Sequence, residues 1–135
     1  MIAFIVDLKD QPGELARVTE AIAQKGINIT GFSGATAGGR GAVMLITNDE
    51  DGTRRALADA GCQVTESELV TAALDHRPGS LAAAARKLAD AGINISGAQP
   101  IGMSEGKMSM AFATDQPAKA RELIGSTEPA GIGVG

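Results

Sequence analysis

The chain has 135 residues, a formal net charge of −4, no Trp, no Tyr and three Phe. Nucleic-acid binding needs clustered Lys or Arg against phosphates and usually aromatic faces for bases, so no nucleic-acid partner is expected. No apolar run approaches the about 20 residues of a membrane span, and Met1 leads straight into Ile2-Ala3-Phe4-Ile5-Val6 without a basic leader, so a cytoplasmic chain without a membrane partner is expected.

Residues 2 to 8 are apolar and branched and read as a buried strand. Asp10 to Gly13 then open a helix, with Asp10 as its cap, Pro12 in the first turn, and Leu15, Val18 and Ile22 at helical spacing. Lys25 suits the last turn and Gly26 the left-handed residue that ends it. Ile27 to Phe32 alternates like a strand, Gly38-Gly39-Arg40-Gly41 reads as a hairpin loop, and Ala42 to Thr47 returns. Asp49 or Asp51 caps a second helix carrying Ala56 and Leu57, Gly61 ends it, and Cys62 to Thr65 form a fourth strand. Between Cys62 and Leu74 there is no Gly, Pro or Asn to turn the chain, so a continuous extended segment is expected, crossing between halves near Glu66-Ser67-Glu68.

The pattern then repeats. Asp10-Gln11-Pro12-Gly13-Glu14-Leu15 returns as His76-Arg77-Pro78-Gly79-Ser80-Leu81, and Gly26-Ile27-Asn28-Ile29 returns as Gly92-Ile93-Asn94-Ile95, both at an offset of 66 (76 − 10 and 92 − 26). One offset across two separated motifs means an internal duplication, and an ungapped comparison adds identities as far as Met44 with Met110 and Asp49 with Asp115. The second copy reads as a strand from Leu69 to Leu74, a helix from Pro78 to Ala91, strands from Ile93 to Ala98 and Lys107 to Ala113, and a helix started by Asp115 and Pro117. Its last segment, Glu128 to Gly135, is a poor strand because Gly and Pro interrupt it. The expected units are residues 1–66 and 67–135. Each alone is near the size at which folding is marginal.

Two strand-helix-strand-strand-helix-strand units, each opening its first helix with P-G-x-L and its second strand with G-I-N-I, resemble a tandem pair of ACT domains. The resemblance implies an α+β fold of two ferredoxin-like βαββαβ units, with antiparallel sheets and helices on one face. It further implies a free amino acid bound at the interface of paired units, between the first strand-to-helix loop and the second strand. The binding elements it implies are Asp10, Gln11, Pro12, Gly13, Glu14 and Leu15 with Asn28 and Ile29 in the first copy. In the second they are His76, Arg77, Pro78, Gly79, Ser80 and Leu81 with Asn94 and Ile95.

The residues suit that ligand. A free amino acid carries a carboxylate beside an ammonium, and a helix start offers unpaired N–H groups and a positive dipole end for the carboxylate. Gly13 and Gly79 permit close backbone approach, Asp10 can accept from the ammonium, and the Asn28 amide both donates and accepts. His76 in place of Asp10 makes the two loops chemically unequal. The lone Cys62 excludes an intrachain disulfide, and one Cys with one His leaves no zinc ligand set. No metal, cofactor or catalytic constellation is expected. The expected function is a stand-alone, non-enzymatic amino-acid sensor, a homodimer or larger homo-oligomer, that transmits by ligand-stabilised pairing. The alternatives are a regulatory subunit joined to an amino-acid biosynthetic enzyme and, on weaker grounds, a ferredoxin-like enzyme.

Overall fold

In the computed structural model, residues 1–125 are described, and the expectation for Glu128 to Gly135 lies outside them. Contacts divide the chain into two compact units, Met1–Ser67 and Glu68–Gly135.

The first unit runs β1 (Ile2–Lys9), α1 (Glu14–Ala23), β2 (Ile29–Ala37), β3 (Arg40–Thr47), α2 (Glu50–Asp59) and the opening of β4 (Val64–Asp75). Its strand order is β2-β3-β1-β4, with β1 and β2 both antiparallel to β3. The register places Phe4 opposite Leu45 and Val6 opposite Val43 on one face. Val18, Ile22 and Leu57 from the helices pack on that face, with Ile27 closing it from the loop. Fully burying side chains of this size contributes about 1.5–3 kcal/mol each, which is what fixes α1 and α2 to the sheet.

The second unit continues along β4, unbroken through residues 66–68, and adds α3 (Ser80–Asp90), β5 (Ile95–Ser104), β6 (Lys107–Thr114) and α4 (Pro117–Ile124). Its order is β4-β6-β5, again antiparallel. Val70, Leu88, Ile93 and Ala120 form one core cluster, and Ala72, Met110 and Phe112 another. The architecture is the expected α+β, ferredoxin-like one.

Four local expectations are corrected. The cap of α1 is not Asp10 but Gly13, in the left-handed region at φ 91, and no side chain caps that end; Gly79 repeats this for α3 at φ 89. A Cβ on Gly13 or Gly79 would meet nothing within 4 Å, so the glycines answer a backbone angle, not a close approach by the rest of the chain. The buried stripe of α1 is Glu14, Val18 and Ile22, while Leu15 is 41% exposed. Glu14 heads the stripe because its carboxylate turns inward to accept from the Lys9 N–H. Lys25 lies beyond the helix, which ends at Ala23 with Gln24 as its cap.

The fourth correction concerns the repeat. β5 carries an irregularity between Pro100 and Gly102 that β2 lacks, so Ile101 is an extra residue and the offset becomes 67 beyond it. The turn Gly38-Gly39, at φ 60 and 79, then corresponds to Glu105-Gly106, at φ 52 and 75. Asn48 corresponds to Asp115, and the α2 cap Asp49 to the α4 cap Gln116. The apparent matches of Met44 with Met110 and Asp49 with Asp115 are therefore coincidences of an ungapped comparison.

Asp49 accepts from the Gly52 N–H at 2.9 Å, whereas Gln116 makes no capping bond. Asp49→Ala should cost about 1 kcal/mol in urea denaturation, within the usual range for a lost cap. Gln116→Ala should stay within about 0.5 kcal/mol.

Candidate functional site

The first unit leaves a groove between α1 and its outer strand β2, and β2 and β5 each pair on one side only, with β3 and β6. At the head of α1, Asp10, Gln11, Glu14 and Leu15 come together with Phe32 around a cavity of about 240 Å³. Farther along, Leu15, Ala16 and Thr19 face Ile29 to Phe32 across a more apolar cavity of about 600 Å³. Phe32 is 54% exposed and Leu81, the counterpart of Leu15, is 53% exposed, so the apolar side chains of the groove lack full cover within their own units. Asn28 and Ile29 stand at the other end of the helix, with Thr19, Glu20 and Ala23. Leu15 and Ile29 share that apolar cavity, but α1, ten residues and about 15 Å long, runs between the loop that carries Asp10 and Gln11 and the loop that carries Asn28.

The asparagines are held by their backbones and leave their amides free. The Asn28 N–H donates to Asn48 Oδ1 at 3.0 Å while its carbonyl accepts from the Asn48 N–H at 3.1 Å. Asn94 is bracketed in the same way by Asp115, at 2.9 and 3.2 Å. Neither asparagine amide has a partner among the described residues, and the side chains of Asp10, Gln11 and His76 have none either. These groups are exposed.

The second loop is gathered differently. Arg77, Pro78, Gly79 and Ser80 line a cavity of about 720 Å³ beneath α3. His76 and Leu81 face solvent, and Asn94 and Ile95 lie beyond the far end of the helix, at the start of β5.

Residues 2–61 match the ACT domain family. That match spans the first unit. No curated protein matches the chain. Among solved structures it is similar to a protein from Bacteroides thetaiotaomicron, at 23% identity and a TM-score of 0.72 over 90% of this chain and 84% of that one. It is also similar to a structure titled the regulatory subunit of aspartate kinase from Thermus thermophilus, at 20% identity and a TM-score of 0.61 over 90% and 87%. A third likeness, of the same title but from Thermus flavus, has 22% identity and a TM-score of 0.60 over 90% and 89%. These similarities, each over 90% of the chain, show the fold along both units.

Within the ACT loop, Glu14 was not distinguished by its sequence from its neighbours, yet it is the residue that ties the loop down. Oε1 accepts from the Lys9 N–H at 3.1 Å and Oε2 from Arg17 Nε at 3.1 Å. Arg17 continues to the Ala60 carbonyl at 3.3 Å and to Cys62 Sγ at 3.7 Å. The i,i+3 spacing of Glu14 and Arg17 was the available signal. The Arg17 guanidinium, and after it the Lys9 N–H, hold the Glu14 carboxyl below its usual value of 4.5.

A carboxyl whose folded-state pKa is depressed contributes stability above its unfolded pKa, and the contribution disappears as pH falls through the folded value. Urea midpoints measured between about pH 3 and 6 should therefore fall more steeply with acid in the wild type than in Glu14→Gln. Parallel curves would show that Glu14 adds nothing through its charge.

Proposed function

We propose that the chain is a non-enzymatic regulatory protein that binds a free amino acid between two ACT-like units. The ligand's carboxylate lies at an uncapped helix start, and its ammonium is met by loop and asparagine side chains. One observation carries this reading: the partnerless groups of a unit sit at opposite ends of its first helix. A molecule the size of an amino acid cannot span about 15 Å of helix. It touches a loop and an asparagine together only where the loop of one unit meets the strand start of another. The starts of α1 and α3 support this, because neither has a side-chain cap and further first-turn N–H groups face an anion even where the Ser80 N–H donates to the Arg77 carbonyl, while the start of α2 is closed by Asp49.

In this reading Asp10 and Asn28, and His76 and Asn94, supply the polar contacts, with Gln11 to Leu15, Ile29, Arg77 to Leu81 and Ile95 shaping the walls. Ligand that binds only the paired arrangement stabilises it by RT ln(1 + [L]/Kd), and that shift is the signal. The readout is a homodimer or larger assembly of the chain, or a separate enzyme or regulator. Two similar folds are, by their titles, regulatory subunits of aspartate kinase. A regulatory subunit of a biosynthetic enzyme is therefore the second reading, using the same pocket.

Asn28→Ala and Asn94→Ala should each weaken amino-acid binding by about 1–3 kcal/mol, the cost of leaving a desolvated polar or charged ligand group short of a partner. Unfolding should change little, because both amides are exposed and unbonded. A calorimetric screen of the twenty amino acids identifies the ligand, and the same titration is then repeated on the variants. Normal binding combined with much earlier melting would show the amides to be structural.

A further inference from the structure

Beneath the first helix of each unit lies a cavity at the same place in the repeat. Lys9, Glu14, Arg17 and Arg40 line it in the first unit, and their counterparts Asp75, Ser80, Ala83 and Lys107 line it in the second. In the first unit the chain fills the space itself: the Glu14 carboxylate sits there, bonded to the Lys9 N–H and paired with Arg17, and about 420 Å³ remains. In the second unit that ion pair is replaced by a hydroxyl and a methyl group, and the cavity there, of about 720 Å³, is bounded on one side by Leu123 to Gly125, where the first is bounded by Gly61 and Gln63.

The charges change with the space. Arg77, where the first copy has Gln11, and Lys87, where it has Ala21, join Lys107 in the wall. The carboxylate among the lining residues is that of Asp75, and it is already engaged, with Lys107 Nζ at 2.8 Å and an Arg77 nitrogen at 3.5 Å. Lys87 has no hydrogen bond or ion pair among the described residues. Each lining holds three cations, Lys9, Arg17 and Arg40 in the first and Arg77, Lys87 and Lys107 in the second, but the carboxylates fall from two, Asp7 and Glu14, to one, Asp75. A cavity with surplus positive charge and a hydroxyl without a partner among the described residues is complementary to an anion of side-chain size.

We propose that the second-unit cavity binds a small carboxylate, which takes the position that Glu14 holds in the first unit. Lys87 and Lys107 supply the counter-charge and the Ser80 hydroxyl donates to it. This site borders the loop Arg77–Ser80 but uses neither asparagine, and it stands without the amino-acid pocket proposed above.

Titrate the intact, isotope-labelled chain with succinate and follow backbone amide shifts by NMR. Saturable shifts confined to the residues around Ser80, Ala84, Lys87 and Lys107 are expected, at one site per chain. Lys87→Gln combined with Lys107→Gln should weaken succinate at least about tenfold, since each removes a charge-assisted contact, while leaving the unliganded spectrum folded. Both lysines are exposed, so the variant tests binding and not folding. Absence of saturable binding, or affinity unchanged in the double variant, would overturn the site. Inorganic phosphate binding at the same residues as tightly as succinate would overturn the assignment to a carboxylate.

Discussion

The structure of each unit depends on a helix having to bury a narrow stripe on one face of an antiparallel sheet. Val18 and Ile22 occupy that stripe in α1, and they meet Phe4, Val6, Val43 and Leu45. A ten-residue helix holding to the sheet by one stripe leaves its remaining circumference open. On the side toward β2 this exposes Leu15, leaves Thr19 half-buried and leaves the outer edge of β2 without a strand partner in its unit. The groove is thus a consequence of how the core is closed. Covering it from within the unit would take another element, and a ferredoxin-like unit has none to spare.

Much of this was legible in the sequence because the physics is local or periodic. Strand alternation, the glycines after each helix and the Asp49 cap all act within a few residues, and the duplication made each signal count twice. What escaped was set by tertiary contact. Asp10 looks like a cap, but the left-handed backbone at Gly13 swings the chain so that Asp10 stands clear of the helix. Leu15 fits an apolar stripe by spacing, yet the inward turn of Glu14 rotates that stripe by one residue. The bracketing of Asn28 by Asn48 and of Asn94 by Asp115 joins positions about 20 residues apart that no sequence spacing links.

The bulge at Ile101 shows how a single inserted residue can mislead a comparison of copies. Strand side chains alternate faces, so an unabsorbed insertion would have turned every later side chain of β5 over. The irregularity between Pro100 and Gly102 takes up the extra residue instead, and β6 keeps Met108, Met110 and Phe112 on the core face. The cost falls on the turn, where Glu105 adopts φ 52 in the place of a glycine. The core face thus survived the insertion, and sequence register did not.

The two copies keep one backbone and differ in what occupies it. An internal carboxylate such as Glu14 is always present, so whatever it contributes to its unit is the same in every condition except acid. A unit that lacks such a group, as the second does at Ser80, can have its stability set from outside, by RT ln(1 + [L]/Kd) for whatever takes the vacant role. For a domain of fewer than 70 residues, where the margin of stability is small, a dependence of that form reaches the folded population itself. A difference of one ion pair between two copies of one scaffold would therefore, with the proposed carboxylate bound, be enough to make one half responsive and leave the other as its fixed reference.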